Sequence, residues 1–151
     1  KWKWRTTKLR TLKRITLNNW TEEIWYSYYR MGKIYLILNN QRKAIEAFLN
    51  AISFNSSRIE NIYEIIKTYR LSNQPIIAMS FYKMAKEMID KKSYSNCLFF
   101  HNNIYNYLLD YEYCIIAYYN KINNYISPII RKRKILRLFN IDQRKQHNKK
   151  K

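Results

Sequence analysis

The sequence predicts an all-α fold built from stacked helix-turn-helix units. Three observations carry this. The 151 residues include 1 Gly and 2 Pro, too few for the turns of an all-β fold or for a Gly-rich phosphate loop. Hydrophobic residues are 47% and aromatics 17%, enough for a core of useful size and too many for general disorder. Finally, a pattern returns after 34 positions: Tyr28, Met31, Gly32, Tyr35, Ala44, Phe48 and Ala51 become Ile62, Ile65, Ile66, Tyr69, Ala78, Tyr82 and Ala85. Six of these seven pairs keep their character, and Gly32 to Ile66 alone departs. Small Ala44 and Ala51 let a second helix approach the first, and Phe48 and Tyr82 fill the space between units. One such unit cannot bury its apolar stripe alone, so neighbours must stack.

Local signals place the helices in order. Thr21 is expected to cap a helix whose first turn carries Glu22 and Glu23, favourable at the positive end of the helix dipole. That helix runs to about Leu38, and Asn39-Asn40 makes the turn. The next spans about Gln41 to Ser53. Ser57-Arg58-Ile59-Glu60 is a capping-box pattern, so a third helix is expected from Arg58 to about Leu71. Asn73-Gln74-Pro75 then offers a cap with Pro in the first turn, and a fourth helix reaches about Asp90. The 34-residue register fails afterwards, where Asn96 and Asn103 fall on apolar positions. Leu98–Leu109 and Tyr111–Asn120 still read as a diverged third pair, and Ile129–Phe139 as a basic terminal helix. The expected organisation is a basic extension over 1–19, a helical domain over 20–121 (units at about 25–58, 59–92 and 97–121), and a basic helix and tail over 122–151.

Lys and Arg number 29 against 10 Asp and Glu, a formal charge of +19. Residues 1–14 and 131–151 together hold 17 bases and one acid, net +16, whereas 15–130 hold 12 bases and 9 acids, net +3. The basicity belongs to the ends, and the body is nearly balanced. Lys, Asn, Ile and Tyr have AT-rich codons and abound here, so genome composition is a competing source of the Lys excess. Cys97 and Cys114 form no CxxC and sit in no Cys/His cluster, which predicts a reducing, cytoplasmic setting. No apolar run approaches the roughly 20 residues of a membrane span, and no signal peptide is visible.

Residues with catalytic potential are isolated. His101 and His147 have no Cys, Asp or His at ligand spacing, so neither a metal nor a cofactor is expected. Ser57 has no base near it in sequence, and capping explains it better than nucleophilic work.

The 34-residue pattern resembles the tetratricopeptide (TPR) repeat, which implies a short right-handed α-solenoid. Three further stretches, Trp20–Tyr29, Ala44–Phe48 and Ser57–Glu64, together with Leu109-Asp110-Tyr111-Glu112 and Ile115–Tyr119, resemble in order the helical TPR region of family-2 glycosyltransferases of bacteria and giant viruses. The Pro usual after Ser-Arg-x-Glu in that family is Asn61 here. Those enzymes carry a metal-holding Asp-x-Asp, whereas Asp90, Asp110 and Asp142 lie far apart, so the resemblance implies the accessory part without the catalyst. In such a stack the first helix of each pair lines a concave face. The candidate partner-binding residues are Tyr26, Tyr29, Lys33 and Leu36 in the first unit and Glu60, Tyr63, Lys67 and Arg70 in the second. Tyr supplies contact area at low entropic cost, and Lys favours carboxylates. The expectation is a non-catalytic scaffold that takes a protein or peptide partner on this face. The alternative is a nucleic-acid binder that grips phosphates with its basic termini, Trp2, Trp4 and Trp20 stacking on bases. A third, basic and thinly amphipathic, reading sets Lys1–Trp4 and Leu9, Leu12 and Ile15 on a membrane surface.

Overall fold

A computed structural model of the chain describes residues 20–90 and 100–119. The predicted extensions over 1–19 and 122–151, the helix over 129–139 and Cys97 lie outside the described residues. Among those described there is no strand. Helices α1 (Thr21–Ile37), α2 (Gln41–Phe54), α3 (Glu60–Leu71) and α4 (Pro75–Asp90) are followed by a π-helical segment, Ile104–Leu108, that runs directly into α5 (Leu109–Tyr119). Helix α1 packs on α2 and α3 on α4, while α2 meets α3 and α5 meets both α3 and α4.

The 34-residue period persists in the backbone. Among the described residues, Asn39 and Asn73 are the two non-Gly residues with positive φ, at 56° and 57°. Each follows the end of a first helix, where Asn tolerates the left-handed conformation. The amides of Asn40 and Gln74 then donate back to the carbonyls of Tyr35 and Tyr69, both at 2.9 Å, closing equivalent Schellman-type turns. The second helices start 34 residues apart, at Gln41 and Pro75. Asn40 caps the first of them, its side chain accepting from the Lys43 amide at 3.1 Å. Ala44, Ala51, Ala78 and Ala85 are all buried, as the close approach within each pair requires.

Side chains pack in two clusters. Trp25, Tyr29, Ala44, Phe48, Ala51 and Ile65 close the first hairpin and reach α3. Ile62, Ile66, Ala78, Tyr82, Ile104, Tyr113 and Ile116 join the second hairpin to α5. Asn61, fully buried, donates from Nδ2 to the Phe48 carbonyl at 2.9 Å and so ties α3 to α2. A Cβ at Gly32 would lie 2.4 Å from Phe48 Cε1, so the Phe48 ring occupies the space a side chain would take. Gly32→Ala should therefore lower stability by about 1–2 kcal/mol net, overpacking exceeding the helix-propensity gain. Thermal melting of the variant checks the sign.

Three local expectations are corrected. Thr21 is not a cap: it is the first residue of α1, and Trp20 precedes it without a capping side chain. The third helix begins at Glu60 and not at Arg58, because the Ser57 hydroxyl turns to Asn55 Oδ1 and the Glu60 carboxylate is taken by Arg58. Residues 100–119 hold one helical run and no break between Leu109 and Tyr111. Asp110, which would otherwise compete for the backbone, is held by Tyr82 Oη at 3.0 Å and Lys86 Nζ at 3.3 Å.

Candidate functional site

The first helices of the stack, α1, α3 and α5, are stitched by ion pairs. Lys33 Nζ on α1 lies 2.7 Å from Glu64 Oε1 on α3. Arg70 on α3 binds Glu112 on α5, its Nε to Oε2 and its Nη2 to Oε1 at 3.4 Å. These pairs align the three helices on one face.

At the N-terminal end of that face lies a buried ionic cluster. Arg58 and Glu60 both have 0% exposure. Arg58 Nε and Nη2 donate to the two Glu60 oxygens at 3.1 and 2.8 Å, a bidentate fork, and Nη1 donates to Glu22 Oε2 at 2.8 Å. The guanidinium lies 3.8 Å above the Trp25 ring, which stacks on Tyr29 at 5.4 Å with planes 6° apart. Tyr105 Oη donates to Glu60 Oε2 at 2.8 Å and accepts from the Ile59 amide at 3.3 Å. One carboxylate thus joins the α2–α3 loop to the segment ahead of α5. Trp25 Nε1 and Asn61 Oδ1 are buried without a hydrogen-bond partner.

Each expected groove residue has a definite place. Tyr26 is half-buried; Tyr29 and Tyr63 are buried. Lys33 is paired with Glu64 and Arg70 with Glu112. Glu60 faces the interior, bound to Arg58, and offers nothing to a partner. Lys33, Leu36 and Lys67 come together at an open cavity of about 450 Å³, with Ile37, Gln41, Glu64 and Leu71 among its walls. Lys67 forms no ion pair or hydrogen bond with another described side chain, so this cavity holds an uncommitted ammonium beside aliphatic surface. The sequence reading gives Glu22 a helix-dipole role and Arg58 a place in a capping-box stretch, and does not bring Arg58, Glu22, Trp25 and Tyr105 together as a cluster.

The tyrosines set a pH limit. Burial first, then Glu60, holds the Tyr105 hydroxyl well above its ordinary 10.0, and burial with Asp110 does the same for Tyr82. Tyr29 and Tyr63 are raised by burial and then by Glu64 and Glu112 respectively, with smaller carboxylate contributions beside them. The folded state therefore keeps protons that the unfolded chain releases above pH 10, so this stabilisation is intact below pH 10 and declines as pH rises beyond it. Tyr29, Tyr63, Tyr82 and Tyr105 should ionise only together with loss of helix. Parallel tyrosinate absorbance and circular dichroism titrations check this. Burial, then Asp110, pushes the Cys114 thiol up to about 11, leaving it a core residue and a poor nucleophile at neutral pH.

Among the described residues, no group of three or more His, Cys, Asp or Glu converges as a metal site. None of their helices is long and apolar enough to cross a membrane. No protein-family model matches the chain, nor does any curated protein or solved structure.

Proposed function

We propose that the chain is a non-catalytic, TPR-like interaction module, a short right-handed solenoid whose concave face takes an extended peptide bearing a carboxylate. On the stretches shared with their helical region, it would serve as an accessory to a family-2 glycosyltransferase. The observation that carries the proposal is the cavity where repeat-equivalent Lys33 and Lys67 meet: Lys33 is neutralised by Glu64, and Lys67 forms no ion pair with any of the described residues. The repeat of turn geometry at Asn39 and Asn73 supports the stacking the function requires. Leu36 and Ile37 flank the ammonium and would take an apolar side chain of the same peptide.

The test is affinity capture with wild type and Lys67→Glu, washed at high salt, followed by titration of the recovered partner. Wild type should retain the partner, and Lys67→Glu should bind it roughly tenfold more weakly or worse, with melting temperature unchanged. Recovery of the same proteins by both, with equal affinity, counts against the proposal.

A further inference from the structure

The two hairpin turns place the end of each first helix and the start of each second helix on the same edge of the stack, because each pair is antiparallel and its turn is short. The equivalent windows are 32–45 and 66–79. They contain Lys33, Arg42, Lys43, Lys67 and Arg70 and no Asp or Glu. The nearest acids are exposed Glu46, one residue past the first window, and Glu64 and Glu112, which pair with Lys33 and Arg70; Glu22, Glu23 and Glu60 lie towards the N-terminal ends of α1 and α3. Lys33 and Arg70 are neutralised by Glu64 and Glu112, so the bases on the edge that form no ion pair among the described residues are Arg42, Lys43 and Lys67.

The same edge bears exposed aliphatic side chains. Ile76 is 82% exposed, Leu71 68%, Ile37 54% and Leu38 52%; with Ile77 they are five of the eight large apolar residues that stand exposed among those described. The large exposed aromatics among the described residues, Trp20 and Tyr118, are not on it. Protein interfaces are enriched in aromatics and depleted in Lys. On this edge the exposed large apolar residues are all aliphatic, are carried at and beside the turns, and stand with Lys43 and Lys67. Counting Glu46, Glu64 and Glu112 against the five bases, the edge keeps a net positive charge, and aliphatic tips on a basic rim match an anionic bilayer surface, where apolar side chains enter the acyl boundary and cations meet lipid phosphates.

We propose that this hairpin edge docks on a membrane surface containing anionic lipid, seating Leu38, Leu71 and Ile76 below the headgroups and Arg42, Lys43 and Lys67 among them. Docking of this kind needs no spanning helix. The edge shares Lys67 and Leu71 with the cavity walls, but Leu38, Ile76 and Arg42 lie outside them, so substitutions at Leu38 and Ile76 separate membrane docking from peptide binding.

The experiment is flotation of the full chain with vesicles of phosphatidylcholine alone and with added phosphatidylserine, at low and high salt, for wild type and Leu38→Ser/Ile76→Ser. Both residues are exposed, so the variant should melt as wild type does. The basic ends also attract anionic lipid at low salt, and that attraction is screened at high salt. Wild type should float with the anionic vesicles and retain binding at high salt, and the variant should bind them roughly tenfold more weakly there. Equal binding by both proteins at high salt overturns the proposal, as does failure of wild type to float. Loss of a protein partner by the variant, with vesicle binding unchanged, overturns it in favour of a protein surface.

Discussion

Arg58→Met should lower the free energy of unfolding by about 3–5 kcal/mol, the cost of stranding a buried carboxylate. The substitution keeps an unbranched side chain over the Trp25 ring, where the thioether packs well, and removes only the charge and the donors. Glu60, with 0% exposure, then keeps Tyr105 Oη and the distant His101 amide as hydrogen-bond partners but loses its cation. Glu22 is less sealed, with 11% side-chain exposure, and still accepts from Asn55 Nδ2. Set against the 5–15 kcal/mol typical of a domain, this loss brings the variant close to unfolding. Arg58→Met/Glu60→Leu should recover much of it, because exchanging a whole buried pair for apolar groups is far less costly than breaking the pair. Recovery stops short of wild type, since Tyr105 loses its acceptor. Equilibrium urea unfolding followed by circular dichroism measures both. A single variant within 1 kcal/mol of wild type would show, on the scale of such pairs, that the cluster contributes nothing to stability.

Why this cluster escaped the sequence, while the hairpins did not, follows from the range of the interactions. The hairpins rest on local chemistry: Asn39 and Asn73 at the turns, Pro75 at a helix start, and Ala at the contact positions. The cluster joins Arg58 to Glu22 across 36 positions and Glu60 to Tyr105 across 45, and only the stacking of units brings them together. Locally, Ser57 and Glu60 carry the spacing of a capping box, and a buried guanidinium outcompetes the Ser57 backbone amide for the carboxylate. The third unit was lost for a different reason. The register already fails at Asn96 and Asn103, and the π-helical segment Ile104–Leu108, which bonds i to i+5, turns the side chains after it further from an α-helical count. The groove was legible only in part. Lys33, Leu36 and Lys67 do meet at one cavity, but Glu60, placed on the same face by helical periodicity, is drawn inward by Arg58.

Phe48→Ala should cost about 3–5 kcal/mol, towards the upper end for such truncations, because the space left behind cannot collapse. On one side lies Gly32, which has no side chain to move in, its missing Cβ position being 2.4 Å from the ring. On another lies Tyr29, 6.1 Å away between ring centres and held in place by its stack on Trp25, which in turn carries Arg58. The second unit has Ile66 and Tyr82 at the equivalent positions, both buried. It accommodates both because Tyr82 is directed at α5, donating to Asp110 and stacking on Tyr113 at 4.5 Å, whereas Phe48 fills the gap over α1. The void in Phe48→Ala therefore has the position of a missing α1 side chain, and Gly32→Ile/Phe48→Ala should regain about 1–2 kcal/mol by filling it from the other helix. Gly32→Ile alone should be destabilising, since Phe48 already occupies that volume. The two substitutions are thus expected to be strongly non-additive in a double-mutant cycle. Additive losses would mean that Phe48 does not owe its position to the absence of a side chain at Gly32.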